Sequence, residues 1–315
     1  MLKTESKEML KISTYRELEC KNELLPLMDQ AFHLPFNLKE FEKIVKIDPR
    51  AKNGPIGFCA TENEHLVGFV GVWDLPTRNL DEDIEYIGGV YGVATLPSYM
   101  RRGICTALMS ATHEYFRQKS YSFSFLSTVP TSIAYNLYKT MGYKDLTEFP
   151  SAYKIIPSNH AKTYKEKTRE QPDLDKILKI YNEYSKTKTG FTIRDKEYLN
   201  IIMRIEGINA KDYIVEEQGY VILKKDKNGT QIKEIVALSR KCLEKLVEKV
   251  ENDARTAVYD RAVTDDEVMR IYRAHNYMLI SRSNGVTMIK PLTASASFKQ
   301  IYGDKFYVSG LDIGC

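Results

Sequence analysis

No stretch of the chain approaches the roughly 18 consecutive apolar residues that a membrane-spanning helix needs, so no such helix is expected. The opening Met-Leu-Lys-Thr-Glu-Ser-Lys-Glu is charged and lacks the apolar core of a signal peptide. Five cysteines stand at 20, 59, 105, 242 and 315, an odd number with no pair at metal or redox spacing. That excludes a disulfide framework and fits free thiols in a reducing cytoplasm. Histidines 33, 65, 113, 160 and 275 do not cluster at metal-ligand spacing, so no metal is expected. Neither sign of charge dominates: 46 Lys and Arg face 42 Asp and Glu, for a net charge of +4. The lysines are scattered among acids, which argues against nucleic acid or a membrane surface as partner. Oligomerisation is left open. With 43% hydrophobic and 28% charged residues over 315 positions, the chain reads as soluble and globular, long enough for one large domain or two ordinary ones.

The pattern opens with an alternating strand over 9–15, then helices over 19–32 and from a cap at Asn37. Strands at 56–61 and 66–73 follow, joined by the polar loop Glu62-Asn63-Glu64-His65. An acidic loop, 81–85, leads into a strand over 86–95, a helix after Gly103, a strand at 122–128, a helix at 132–141 closed by Gly142, and a strand at 152–156. A lysine-rich stretch near 158–171 reads as a linker. The order then recurs: two helices, strands around 213–216 and 219–225, an Asn228-Gly229 turn, a strand at 232–238, a helix at 241–253, and a strand, helix and two strands to 289. Such a recurrence suggests duplication. The predicted class is α/β (α+β), with two tandem mixed-sheet domains, 1–157 and 172–292, and a tail, 293–315, too apolar to be solvated.

Residues 93–108 carry the clearest chemistry. An apolar strand ends at Pro97, two arginines and Gly103 follow, and a helix begins with Ile104. A helix N-terminus has amides without internal partners and a positive dipole end, so it suits an anion; flanking arginines suit a phosphate.

This order, with two helices and a hairpin before the turn and strand–helix–strand after it, resembles the Gcn5-related N-acetyltransferases (GNAT). The family's signature is Arg/Gln-x-x-Gly-x-Gly/Ala after an apolar strand. Here Pro97 and Gly103 keep their places, Arg101 and Arg102 fill the variable ones, and Met100 and Cys105 replace the outer two. The resemblance implies that Arg101, Arg102, Gly103, Ile104, Cys105 and Thr106 cradle the pyrophosphate of acetyl-CoA. It also implies that Val93, Ala94 and Thr95 pair with its pantetheine arm as an added strand would. Ala134 to Tyr143 is similar to the family's Ala-x-x-x-Tyr-x-x-x-Gly-Phe/Tyr segment, which makes Tyr138 the acid that protonates the departing thiolate. The glutamate that many relatives use as base is replaced by Gly89, with Glu85 on the same strand face four residues earlier, about 13 Å away. Arg101-Arg102-Gly103, Tyr138 to Tyr143 and the repeat resemble tandem acetyltransferases of the enhanced intracellular survival type, without their sterol-carrier-like domain. That resemblance implies a docked tail whose Cys315 carboxylate supplies the base. His33 and Glu85 fall where the amine would sit.

The expected function is N-acetyl transfer from acetyl-CoA to a primary amine of a small molecule or peptide. Two alternatives remain: a non-catalytic acyl-CoA sensor or scaffold, and acetylation of protein lysines or N-termini. The second copy has Leu238-Ser239-Arg240-Lys241-Cys242 where the first has its glycine turn, so it is expected to bind no CoA.

Overall fold

The computed structural model describes residues 10–33, 35–157, 171–263, 265–281 and 285–312. Most of the expected linker and Cys315 lie outside the described residues. By its contacts the chain divides into two compact units. One takes 1–76, 86–126 and 289–296; the other takes 77–85, 127–288 and 297–315. The units therefore do not follow the sequence halves: 127–157 goes with the second and 289–296 with the first.

The first unit begins with β1 (Lys11–Thr14), antiparallel to β2 (Gly57–Glu62). Helix α1 (Leu24–Phe32) starts later than periodicity suggests, after two 3-10 turns, Tyr15–Glu17 and Lys21–Glu23. Pro26 explains this, because proline lacks an N–H and its ring excludes a preceding helical turn, so it is tolerated only in the first turn. Helix α2 (Leu38–Ile47) starts as expected, with the Asn37 side chain accepting from the Glu40 amide. Strand β3 (His65–Arg78) runs past Trp73, where the apolar run ends, and turns into β4 (Ile84–Thr95). Helix α3 (Ile104–Gln118) and β5 (Phe123–Thr128) follow. Tyr15, Leu24, Leu27, Val45, Phe69 and Ala94 form one core, beneath α1 and α2. A methyl group on Gly68 would meet Ile104 and Leu108, which places α3 on the opposite face.

In the second unit, helix α4 (Ile133–Thr140) is capped by Ser132, and β6 (Lys144–Glu148) and β7 (Ser151–Ile155) come next. Strand β6, Lys-Asp-Leu-Thr-Glu, went unforeseen because its residues are polar and largely exposed. Helices α5 (Leu174–Ser185) and α6 (Lys196–Glu206) precede β8 (Tyr213–Val215), β9 (Gly219–Asp226) and β10 (Gly229–Ala237). Then come α7 (Arg240–Asp253), β11 (Ala257–Asp260), α8 (Asp266–Ala274), β12 (Met278–Ile280), β13 (Val286–Pro291) and the short α9 (Phe298–Tyr302). Alternation sorts the core of this sheet. Tyr220, Ile222 and Val236 pack with α5 and α6, while Val221, Leu223 and Ile235 pack with α7 and α8.

The last strand of each sequence half sits in the other half's strand order. Strand β7 lies between β11 and β12, antiparallel to both, in the order β12-β7-β11-β10-β9-β8. Strand β13 has β5 on one side and β6 on the other. Periodicity in β7 fixes which face is buried and carries no information about which sheet receives the strand.

Gly88 and Gly89 of β4 make room for neighbours on both faces. A methyl group on Gly88 would stand 2.3 Å from the Phe116 ring, and one on Gly89 would stand 2.6 Å from Leu75 Cδ1. Gly88→Ala should therefore lower unfolding free energy by about 1–3 kcal/mol, the usual effect of overpacking. A shift of the urea midpoint with unchanged slope checks this.

Candidate functional site

The site is organised by a parting of two parallel strands. The described β4–β5 register holds Gly88↔Ser124 and Gly89↔Phe125 and ends there. Three residues later Gly92 takes φ 57°, a left-handed conformation that turns the strand and favours glycine. Beyond it run Val93 and Thr95, half-buried, and Ala94, buried. Beyond Gly89 the described register with β5 has ended, and strand backbone groups without a neighbouring strand need another partner. An extended amide-bearing ligand would satisfy them as an added strand does.

Residues 96–103 connect β4 to α3. Pro97–Tyr99 form a 3-10 turn, Arg101 takes φ 61°, and Gly103 takes φ 81° as the N-cap of α3. A Cβ on Gly103 would meet nothing within 4 Å, so the turn is open to a ligand. The amides of Ile104, Cys105 and Thr106 form the unpaired first turn of the helix. Cys105 is half-buried, and desolvation pushes its thiol up to about 11, so it is neutral near pH 7.

The two arginines differ. The Arg102 guanidinium donates to both Glu62 oxygens, at 2.5 and 3.2 Å, and lies 5.0 Å from the Tyr99 ring centroid. The Glu62 side chain is only 3% exposed. Glu62, expected in a polar loop, is thus the buried end of β2. Arg101 is exposed and makes no ion pair or hydrogen bond among the described residues. Of the two, Arg101 is the cation free to meet an anion.

The inner face of α3 also carries a histidine. His113 is 5% exposed. Burial, with Lys290 and Arg117 nearby, pushes its pKa from 6.5 down to about 3. Arg117 lies one turn further along α3, whereas Lys290 acts from a distant part of the chain.

The place of the usual glutamate, Gly89, is filled by Leu75 and the Trp73 Cβ, so a larger side chain would not fit there. Tyr138 lies in the last turn of α4, 5% exposed, with its ring centroid 5.9 Å from that of Tyr143 in an edge-on arrangement. Glu85 is half-buried near the start of β4, and its carbonyl accepts from Thr77 Oγ1 at 2.7 Å. By contacts, Glu85 and Tyr138 belong to the second unit, and residues 93–106 to the first. His33 is exposed, in a left-handed conformation at the end of α1. Cys315 lies outside the described residues. Among the described residues, no group of three His, Cys, Asp or Glu side chains could hold a metal ion. Among the described residues, no helix is long and apolar enough to cross a membrane.

Residues 16–145 match the family model described as an acetyltransferase (GNAT) domain. The chain resembles the crystal structure of a GCN5-related N-acetyltransferase from Kribbella flavida, with TM-score 0.69 and 16% identity over 91% of this chain and 73% of that one. It also resembles Eis1 from Mycobacterium abscessus, with TM-score 0.60 and 14% identity over 91% and 74%. A putative acetyltransferase from Pyrococcus horikoshii matches over 96% of this chain and 95% of its own, at 15% identity and TM-score 0.54. At these identities the likeness concerns the fold: a mixed α/β structure of the GNAT kind. No curated protein matches.

The unequal arginines and the buried histidine can each be tested by substitution. Arg102→Ala strips a partner from a buried carboxylate and should lower stability by about 1–3 kcal/mol. Arg101→Ala should leave the melting temperature within a degree or two, because nothing inside the protein depends on it. As for His113, its folded pKa lies below its unfolded one, so the unfolded chain takes up the proton first. Stability is then lost as pH falls from about 6.5 towards about 3. His113→Asn should flatten that acid limb in urea titrations across the same window.

Proposed function

We propose that the chain is an acetyl-CoA-dependent N-acetyltransferase acting on a primary amine of a small molecule or peptide. The observation that carries this is the parting of β4 and β5 just before an open turn at a helix N-terminus. One strand edge suits a pantetheine arm and the adjoining amides suit a pyrophosphate. The residues present fit that group: Gly103 leaves the turn unobstructed, Arg101 is free to pair with phosphate, and the first amides of α3 have no partner within the helix. Free thiols at Cys20, Cys59, Cys105 and Cys242 fit a reducing compartment, where such a cosubstrate is at home.

Bound acetyl-CoA would supply an activated acyl carbon. Val93, Ala94 and Thr95 would align its arm along β4, and strand amides would polarise the thioester carbonyl. The amine would attack directly once held close to that carbon. Tyr138 Oη would give its proton to the departing sulfur, since a thiolate released in a dry cleft is costly. His33 and Glu85 would border the amine.

The filled space at Gly89 favours a second reading, an acyl-CoA-binding protein without turnover. Free-thiol release with acetyl-CoA and a panel of amines separates the two. The enzyme reading expects release, and expects Tyr138→Phe to lower kcat by about 100-fold with CoA affinity unchanged. Unaltered CoA binding with no release for any amine would favour the second reading.

A further inference from the structure

The second copy preserves the strand parting. Strands β10 and β11 are parallel through Thr230↔Val258, Gln231↔Tyr259 and Ile232↔Asp260, and the register of β10 then shifts between Ile232 and Glu234. Its turn, however, is gone. Only Leu238 and Ser239 separate β10 from α7, and the Ser239 hydroxyl accepts from the Cys242 amide, so the helix caps itself.

The gap between the parted strands holds the end of the chain. A methyl group on Gly310 would stand 2.3 Å from the carbonyl oxygen of Lys233, the bulged residue, and 3.8 Å from Ala262. Ser309 and Gly310 close a space of about 20 Å³, the size of one water, with Glu234, Ile235 and Asp260. Leu311 is fully buried in the core formed by Ile177, Ile180, Tyr181 and Tyr220. The Asp312 carboxylate accepts from Arg194 at 3.3 Å, from the Tyr198 hydroxyl at 2.6 Å and from the Ser309 amide at 2.8 Å. Arg194 also donates to the Ser309 hydroxyl at 2.8 Å. Its guanidinium is itself 1% exposed, held by Glu234 at 2.7 Å and stacked 4.0 Å from the Tyr181 ring centroid. Upstream, Tyr307 pairs by backbone with Thr189 and Phe191.

Each residue of Ser-Gly-Leu-Asp thus meets a distinct requirement: a hydroxyl for Arg194, no side chain against Lys233, an apolar socket, and a carboxylate for Arg194 and Tyr198. Such position-by-position matching is the mark of a recognition groove rather than of a tail resting on a surface. We propose that the second copy is a peptide-recognition domain whose parted strands bind the chain's own segment Phe306–Asp312. That this segment stands where the first copy takes a cosubstrate rests on the acyltransferase reading; the recognition itself does not.

The test uses the full chain. Gly310→Val places carbon against the Lys233 carbonyl and should expel the segment, so that exchange of the Tyr307 and Phe191 amides quickens by about tenfold or more. A synthetic, C-terminally amidated peptide with the sequence of residues 304–312 should then bind this variant and not the unaltered chain, whose groove is filled. The same peptide carrying Asp312→Asn should bind at least about tenfold more weakly. Unchanged exchange in Gly310→Val overturns the proposal, as does a freed segment with no peptide binding, or binding indifferent to Asp312→Asn. Should Gly310→Val fail to fold, Asp312→Asn in the full chain decides. Faster exchange at Tyr307, with β2 amides unchanged, supports recognition, and unchanged exchange refutes it.

Discussion

Two parallel strands that separate leave a row of backbone donors and acceptors with nothing to pair to. That constraint recurs twice in this chain, after Gly89 in β4 and after Ile232 in β10. Buried backbone groups cannot stay unpaired without a cost comparable to a lost hydrogen bond, so each gap calls for an occupant. Between β4 and α3 lie a long open turn and a helix N-terminus, features that suit a phosphate-bearing ligand. Between β10 and α7 stand only Leu238 and Ser239, and Ser309 and Gly310 lie beside the end of the β10–β11 pairing. One architectural weakness has received two different answers.

The glycines of β4 show how the first answer constrains the chemistry. Gly88 and Gly89 let Phe116 and Leu75 close on the two faces of the sheet. That packing secures the strand from which the gap opens, and it also removes the room in which a glutamate side chain would act as base. Under the proposed acetyl transfer, an amine acceptor would have to arrive neutral or lose its proton to solvent or to a group such as Glu85. Arg102 is bound up in similar structural work, since it neutralises the buried Glu62 and leaves Arg101 to face a ligand.

Much of this was legible from residues alone. The Asn37 cap, the Asn228-Gly229 turn, and the strand–turn–helix of 93–108 are local signals, and local physics decides them. The late start of α1 was also written in Pro26, though periodicity masked it. What escaped sequence reading depends on contacts far apart in the chain. Glu62 looked like a loop residue because its partner, Arg102, stands 40 positions away. Strands β7 and β13 read as the ends of their own halves, because alternation encodes a face and not a neighbour. The tail was recognisable as too apolar to be solvated, but its seat on Arg194 joins residues 118 positions apart. His113 owes its depressed pKa to burial and to Lys290 and Arg117, and Lys290 stands too far along the chain for α3 alone to reveal it.

The central claim is that one strand gap is open to a cosubstrate and the other is closed by the chain itself. Calorimetric titration of the full chain with CoA tests it most directly. The account predicts one equivalent bound per chain. Two equivalents would show that the second gap is open to the cofactor, and none would show that the first is not built for it; either result would contradict the account.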